Sequence, residues 1–271
     1  MNAQPLNTCR PSRPAGYLTG GLIVLCLAGA LAGCTHTSTG PPQRAANEHD
    51  AAIYNTQLGL GYLNQGNIPV AKERLDRALS ENPKDPNVHS ALAMLYDRAG
   101  DAKKADAEFR SALGIAPRDP DIQNNYAVYL CRTGRTADGV RYFEMAAHNP
   151  AYRTPEAAYT NAGVCLRSAK QDEKAKPYFA HALELRPNFA EAAFQLSELE
   201  FQGGHLAEAR TQIDTFVQAF KATPDLLLLG VRVTRALNDR IAAQRYAQKL
   251  RMDFPDSDQA KVLAELDRNR G

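Results

Sequence analysis

The sequence lacks most of the residue patterns that mark catalytic, metal-binding or nucleic-acid-binding proteins. Its six histidines are scattered without metal-ligand spacing, and its five cysteines form no C-x-x-C pair. No serine nucleophile elbow occurs, and the glycines of residues 19–33 lie in an apolar segment rather than in a phosphate-binding loop. With 32 basic against 30 acidic residues, the net charge of +2 is too small for a nucleic-acid-binding surface. We therefore expect no catalytic residues, metal, cofactor, small-molecule substrate or nucleic-acid partner.

The sequence also lacks an apolar run long enough to span a bilayer. The strongly apolar part of the amino terminus, residues 22–31, has about ten residues, whereas a spanning helix needs about 20. Arg10 and Arg13 precede this run, and small residues end it. This order predicts a secretion signal over residues 1–33. An uncleaved anchor helix is the alternative.

The four residues LAGC that end at Cys34 resemble the bacterial lipobox. The resemblance implies that the Cys34 thiol receives a diacylglyceryl group, that the chain is cut after Gly33, and that the new amine is acylated. Two or more acyl chains anchor a protein stably at a membrane. By the sorting rules of such lipoproteins, Thr35 in place of aspartate implies the outer membrane, with the protein on its periplasmic face. The small, polar and Pro-rich residues 35–47 indicate a flexible tether within residues 34–51.

A period of about 34 residues runs through the chain that follows. Small, turn and bulky residues recur at equivalent places of the first three units: Gly59, Gly66, Ala71, Leu75, Ala78; Ala93, Gly100, Ala105, Phe109, Ala112; Ala127, Gly134, Gly139, Phe143, Ala146. Two residues are inserted near residue 150, and a looser pattern continues to about residue 256. Each unit reads as two helices joined by a short turn. Helix starts are marked by a capping residue before proline at Asp85, Asp119, Thr154 and Thr223.

This pattern resembles the tetratricopeptide repeat, although the usual tryptophan of that motif is absent because the chain contains none. The resemblance implies an all-α fold, a right-handed superhelix of about six helix-turn-helix repeats, since one unit cannot bury its apolar face alone. We expect the repeat domain at residues 52–256 and a C-terminal helix or tail at residues 257–271. The repeats are expected near residues 52–85, 86–119, 120–153, 156–189, 190–222 and 223–256.

Two cysteines, Cys131 and Cys165, remain after the signal and the lipidated cysteine are set aside. Their separation in the sequence equals one repeat length. An exported protein can form a disulfide. Equivalent helices of adjacent repeats usually lie about 8–10 Å apart, however, which is long for such a bridge. We therefore favour two buried free thiols, with a disulfide as the alternative.

In a tetratricopeptide superhelix, the first helix of each unit lines a concave face. In the first two units the inward places include Ile53, Leu60, Leu63 and Met94, which could receive the apolar face of a partner helix. The tether or a capping segment could cover them instead. The groove is expected to become more polar further along. The segment LLLLG at residues 226–230 is expected to be buried in the last repeat.

Two stretches point to a particular family: NNYAVYLCRTGR from Asn124 and LLLLGVRVTRALNDRIAAQRYAQKLRMDFPDS from Leu226. Together with the lipobox and the repeats, they resemble the type IV pilus biogenesis lipoproteins of the PilF/PilW family, the pilotins. The resemblance implies a lipidated (palmitate-bearing) outer-membrane protein that binds subunits of the pilus secretin. It would promote their outer-membrane localisation and oligomerisation, and so support pilus biogenesis and twitching motility. It identifies neither the secretin segment bound nor the stoichiometry, nor whether the lipid is essential.

Two other classes of protein share some of these features. A repeat lipoprotein adaptor for periplasmic cell-wall synthases or hydrolases would have the same lipobox, the same repeats and no catalytic residues. Co-purification separates it from a secretin-binding protein. An enzyme with a helical-repeat appendage would need a second domain, and only about twenty residues follow Arg251.

Overall fold

The computed structural model describes residues 43–268, and every regular element within them is an α-helix. Cys34 and the predicted signal lie outside the described residues. The helices are α1 (Gln43–Asn64), α2 (Ile68–Glu81), α3 (Pro86–Arg98), α4 (Ala102–Ile115), α5 (Pro120–Arg132), α6 (Thr136–Ala147), α7 (Pro155–Ser168), α8 (Asp172–Leu185), α9 (Ala190–Gln202), α10 (Leu206–Ala219), α11 (Pro224–Ala236), α12 (Arg240–Asp253) and α13 (Asp258–Arg268). The all-α repeat fold expected from the sequence period is confirmed.

The helices pair in chain order, from α1 with α2 to α11 with α12, and α13 packs on the last pair. We call the odd-numbered member of each pair the first helix and the even-numbered member the second helix. Each first helix lies close to the first helix of the next pair, whereas within residues 43–268 the backbones of successive second helices lie further apart and are bridged by long side chains, as from Tyr178 of α8 to Glu144 of α6. Because the first helices lie closer together, the stack curves with the first helices on its concave side. This concave side is the inner wall.

A small residue on the first helix faces a bulky residue on the second helix of the same pair. A Cβ atom added to Gly163 would lie 2.5 Å from the Phe179 ring, and one added to Gly230 would lie 2.9 Å from the Tyr246 ring. Both rings are almost completely buried. The close approach of the two helices therefore depends on the missing side chain, and each buried ring contributes roughly 1.5–3 kcal/mol of hydrophobic stabilisation.

Side-chain caps fix the start of several first helices. Asp85, Asp119 and Thr223 each accept a hydrogen bond from a backbone N–H of the helix that follows, as the sequence predicts. Thr154 makes no such bond, so its predicted cap is wrong. The two inserted residues lengthen the connection before α7, and the backbone of Thr154 takes φ −134° and ψ 57° there.

The turn between the two helices of a pair requires a left-handed backbone. Gly100 (φ 81°) and Gly134 (φ 82°) supply it without steric cost, whereas Lys170 (φ 58°) and Asn238 (φ 57°) take the same conformation with a side chain. The turn is therefore retained even where the glycine signal is missing from the sequence.

The amino-terminal boundary of the helical region differs from the expectation. Helix α1 begins at Gln43, so the last part of the segment expected as a tether, residues 43–51, is helical. Its sequence, QRAANEHDA, is rich in residues of good helix propensity and contains neither glycine nor proline. The prediction for residues 226–230 is confirmed, because Leu226, Leu227 and Leu229 are buried in the core of the last repeats. None of the described helices has both the length and the apolar character of a membrane span.

Candidate partner-binding surface

Four apolar residues occupy one equivalent position on consecutive first helices. Leu60, Met94, Val128 and Val164 each directly follow the small residue at which the two helices of a pair cross. We call these four residues the inner stripe. Val128 and Val164 are 47% and 36% exposed, whereas Leu60 and Met94 are half-buried against the core of the first two repeats. The inner wall therefore carries accessible apolar surface from α1 to α7.

The most open part of the inner stripe borders a cavity of about 570 Å³ between α5 and α7. Its lining combines apolar residues with amide, hydroxyl and guanidinium groups: Val128, Cys131, Arg132, Gly134, Phe143, Asn161, Val164, Cys165 and Ser168. Apolar walls with a few polar groups at the edge are typical of sites that receive an apolar side chain and orient the backbone that bears it.

Side-chain bridges cross the inner wall at each step from α3 to α13. They join Asp97 to Arg132 (3.1 Å), Asn124 to Asn161 (3.4 Å), Arg167 to Gln202 (3.3 Å), Glu198 to Arg232 (3.5 Å), and Arg235 to Asp267. Two of these bridges involve uncharged amides, and a partly exposed ion pair such as Asp97–Arg132 contributes little stability, about 0–1 kcal/mol. Their regular placement instead holds neighbouring first helices at a fixed spacing and leaves a polar border beside the inner stripe.

A disulfide joins Cys131 of α5 to Cys165 of α7, with a Cα–Cα distance of 5.5 Å. The expectation of two free thiols is therefore wrong. The insertion before α7 lengthens the offset between these repeats by two positions, as the buried pair Phe143 and Phe179 shows. Cys165 thus lies two positions before the place equivalent to Cys131, a rotation of about 200° around α7 that turns it towards α5.

The space around the disulfide is kept open by a glycine. A Cβ atom at Gly139 would collide with Sγ of Cys131, and it would lie 3.1 Å from the carbonyl oxygen of Ala127. Cys165 is almost completely buried, whereas Cys131 is half-exposed at the edge of the cavity. The disulfide therefore forms part of the wall of the candidate site.

The four residues predicted from the sequence do not form one surface. Ile53 is 39% exposed, and Leu60 and Met94 are half-buried members of the inner stripe. Leu63 is only 2% exposed and belongs to the core cluster between the first two repeats, so its assignment to the groove is wrong. It lies three residues after Leu60, almost one helical turn, where the α1 surface already faces α2 and α3.

Neither Val128 nor Val164 is among the candidate site residues predicted from the sequence. Both residues can be identified from the sequence by their spacing from Leu60 and Met94. Leu60, Met94 and Val128 follow one another at intervals of one period, and Val164 follows after one period and the two inserted positions. The apolar part of the groove therefore extends two repeats further than expected. Glu198 takes the equivalent position on α9, is 9% exposed and pairs with Arg232.

The strongest perturbations of ionisable groups lie at packed second helices. Burial and a 2.7 Å hydrogen bond from Tyr178 Oη to Glu144 raise the pKa of Tyr178 to about 12. Burial and a hydrogen bond to Asp214 also raise the pKa of Tyr246. Both phenols therefore remain protonated donors near neutral pH. Among the described side chains, no group of three or more His, Cys, Asp or Glu residues could hold a metal ion.

Comparison with known proteins places this geometry in a family. Models of the tetratricopeptide repeat match residues 62–129 and 156–189. The chain is 31% identical over 237 residues to the type IV pilus assembly protein PilF of Pseudomonas aeruginosa. This alignment covers 87% of this chain and 94% of that protein. The chain belongs to the PilF/PilW family. It is therefore a tetratricopeptide-repeat protein of type IV pilus biogenesis.

Solved structures of the PilF/PilW family agree with this assignment. That of Pseudomonas aeruginosa PilF matches with a TM-score of 0.63 and 30% identity, over 81% of this chain and 99% of that one. The structure of PilW, described as a widely conserved type IV pilus biogenesis factor, matches with a TM-score of 0.62 and 30% identity. The match covers 79% of this chain and 98% of that one. A repeat scaffold of this kind acts through protein–protein contacts.

Proposed function

We propose that the protein is a lipoprotein of the outer membrane that binds subunits of the type IV pilus secretin on its inner wall. Cys34 carries the lipid and holds the repeat domain on the periplasmic face. Binding promotes localisation of the secretin to the outer membrane and its oligomerisation there. Family membership supports the pilus pathway, and the lipobox ending at Cys34 supports the membrane address.

The inner stripe is the observation that carries the binding proposal. It presents one apolar residue per repeat on first helices that usually lie about 8–10 Å apart. Seven residues of an α-helix advance about 10.5 Å, so a partner helix with an apolar residue every second turn matches this spacing. We therefore assign an amphipathic helix of the secretin subunit to the inner stripe.

The composition of the inner wall sets the length of this contact. The exposed part of the stripe ends at Val164, because Glu198 follows at the equivalent position. The partner helix therefore covers the first four repeats, with its most deeply seated side chain in the cavity beside the disulfide. The polar bridges that border the stripe, such as Asp97–Arg132, then offer hydrogen-bonding groups to the polar side of that helix.

Lipid anchoring strengthens the binding of the secretin subunit without any new contact between the two proteins. A tethered protein and a membrane-bound secretin subunit meet on a surface, and this confinement raises their effective concentration. Several tethered copies then gather subunits close enough to form a ring. The lipid address is therefore part of the proposed mechanism.

The address is tested by two variants in the native host. Cys34→Ser removes the lipid, whereas Thr35→Asp keeps the lipid and, by the sorting rules, retains the protein in the inner membrane. Membranes are fractionated and blotted for heat-resistant secretin multimers. We expect both variants to lose outer-membrane multimers. Normal outer-membrane multimers with a delocalised protein would refute the transport mechanism.

The inner stripe is tested in the same host by Val128→Asp combined with Val164→Asp. Both side chains are exposed, so the variant should fold and still lose secretin multimers. Met145, which is 41% exposed on α6 outside the stripe, provides the matched control Met145→Asp. Co-purification separates the alternatives, because a cell-wall adaptor would retain peptidoglycan synthases or hydrolases instead of the secretin.

A further inference from the structure

A second cavity, of about 850 Å³, lies at the carboxyl-terminal end of the repeats between α11, α12 and α13. One face of α12 supplies most of its wall, with residues spaced three or four apart. The lining residues are Arg235, Asn238, Arg240, Ala243, Gln244, Ala247, Gln248, Arg251 and Asp267. We call this cavity the arginine cleft. It lies away from the inner stripe and has a different chemistry.

The arginine cleft already holds one carboxylate of the chain itself. One oxygen of Asp267 accepts a hydrogen bond from Arg235, and the other accepts one from Arg251. Arg235 is largely buried, with 16% of its side chain exposed, which fixes the direction of its guanidinium. The geometry of this wall therefore suits carboxylate recognition by paired guanidinium groups.

The charge of the arginine cleft is not balanced by its own residues. Three arginines face one aspartate, and Arg240 makes no ion pair with any other described residue. Three uncharged amides, Asn238, Gln244 and Gln248, supply further hydrogen-bond donors and acceptors. The outer face of a terminal repeat must be polar for solubility, but uncharged amides alone would make it polar. The excess positive charge goes beyond this solubility requirement and is complementary to an acidic ligand.

We infer that the arginine cleft binds an acidic segment of a partner polypeptide, with glutamate or aspartate carboxylates at Arg240 and beside Asp267. The cleft is concave and has room for several side chains, which suits an inserted peptide better than a flat membrane surface. Its amides can hydrogen-bond the peptide backbone while the guanidinium groups select the charge. This inference does not depend on the identity of the partner at the inner stripe.

The test is fluorescence anisotropy of a labelled oligoglutamate peptide with the purified protein, at low and at physiological ionic strength. We expect saturable binding that weakens as salt is added, because exposed charges are screened. Arg240→Glu should weaken binding by about tenfold or more, since a charge-assisted hydrogen bond is lost and a repulsion is added. Arg240 is the first residue of α12, where an acidic side chain interacts favourably with the helix dipole. The variant should therefore fold.

Arg153→Glu is the matched control. It makes the same change in net charge at an exposed residue between α6 and α7, and it should leave the affinity within about twofold because distant surface charges are screened. Equal losses in the two variants would show attraction to net charge alone and overturn the proposal. So would the absence of saturable binding. Vesicles containing phosphatidylglycerol are the second probe, and Arg240-dependent vesicle binding without peptide binding would make the cleft a membrane contact instead.

Discussion

Removing the disulfide between α5 and α7 should destabilise the protein by a predictable amount. The bond closes a loop with a sequence separation of 34 residues, and the loss of chain entropy in the unfolded state corresponds to about 3–4 kcal/mol at 25 °C. Cys131→Ala combined with Cys165→Ala should lower the free energy of unfolding by up to this amount. Residual structure in the unfolded chain makes this an upper value.

The packing around the disulfide indicates that the fold itself survives its loss. Helix α6 lies between the two cysteines in the sequence and buries Phe143 against α5 and α7. Both cysteines line the cavity of the candidate site, so removal of the two sulfur atoms widens a space that already exists rather than opening a new void in the core. The helical content of the double variant should therefore equal that of the wild type.

Urea unfolding followed by circular dichroism measures the effect. The wild type in excess reductant is the control, and its unfolding midpoint should fall to that of the double variant. Alkylation with mass spectrometry should find Cys131 and Cys165 unreactive in the oxidised wild type. If the midpoint is the same with and without reductant, or if both thiols react without it, the placement of the disulfide in the folded protein is refuted.

Three further predictions concern the packing. Gly163→Ala places a Cβ 2.5 Å from the buried Phe179 ring, so the ring must shift, and the overpacking cost lies towards the upper end of about 1–3 kcal/mol. Helix propensity returns only about 1 kcal/mol, so the urea midpoint should fall. An unchanged midpoint would contradict the close helix crossing. Because folding raises the pKa of Tyr178 from 10.0 to about 12, this residue's contribution to stability is complete below pH 10 and is lost as the pH rises towards 12. Tyr178→Phe, which cannot ionise or bond Glu144, should therefore lose less stability over that pH range in urea titrations, and parallel curves would contradict the assignment. Leu60→Asp should lower both the thermal stability and the capture of the partner, since Leu60 is half-buried against the core; lost capture at unchanged stability would place it on the surface.

The repeat fold could be predicted from the sequence because its physical requirements recur in every unit. A small residue is needed where two helices cross, and a bulky one is needed to fill the space beside it, as at Gly163 and Phe179. Capping residues before proline then mark the helix starts. The exceptions occur where the regular pattern is disturbed, at Thr154 beside the insertion and at Gln43, where helix propensity extends α1 into the expected tether.

The candidate site was harder to predict because it depends on rotation around each helix. Leu60 and Leu63 lie within one turn, yet the first borders the groove and the second is in the core. Their hydrophobicity does not distinguish the two positions. Comparison along equivalent positions does, since it joins Leu60 to the exposed Val128 and Val164.

The disulfide could not be predicted from the cysteine spacing. A separation of one repeat length suggests equivalent positions, which lie too far apart for a bond. The two inserted residues remove that equivalence and bring Cys165 to face Cys131. The consequence of an insertion for side-chain direction becomes clear only when the repeats are aligned on their buried residues.

The most direct test of secretin binding at the inner stripe is the affinity of the purified protein for the purified periplasmic part of the secretin subunit. We predict saturable binding by the wild type and by Met145→Asp. The variant that carries Val128→Asp and Val164→Asp should bind at least about tenfold more weakly at unchanged helical content, because two charges would be buried in the interface without partners. Equal affinity of all three proteins would contradict the assignment of the inner stripe as the secretin site.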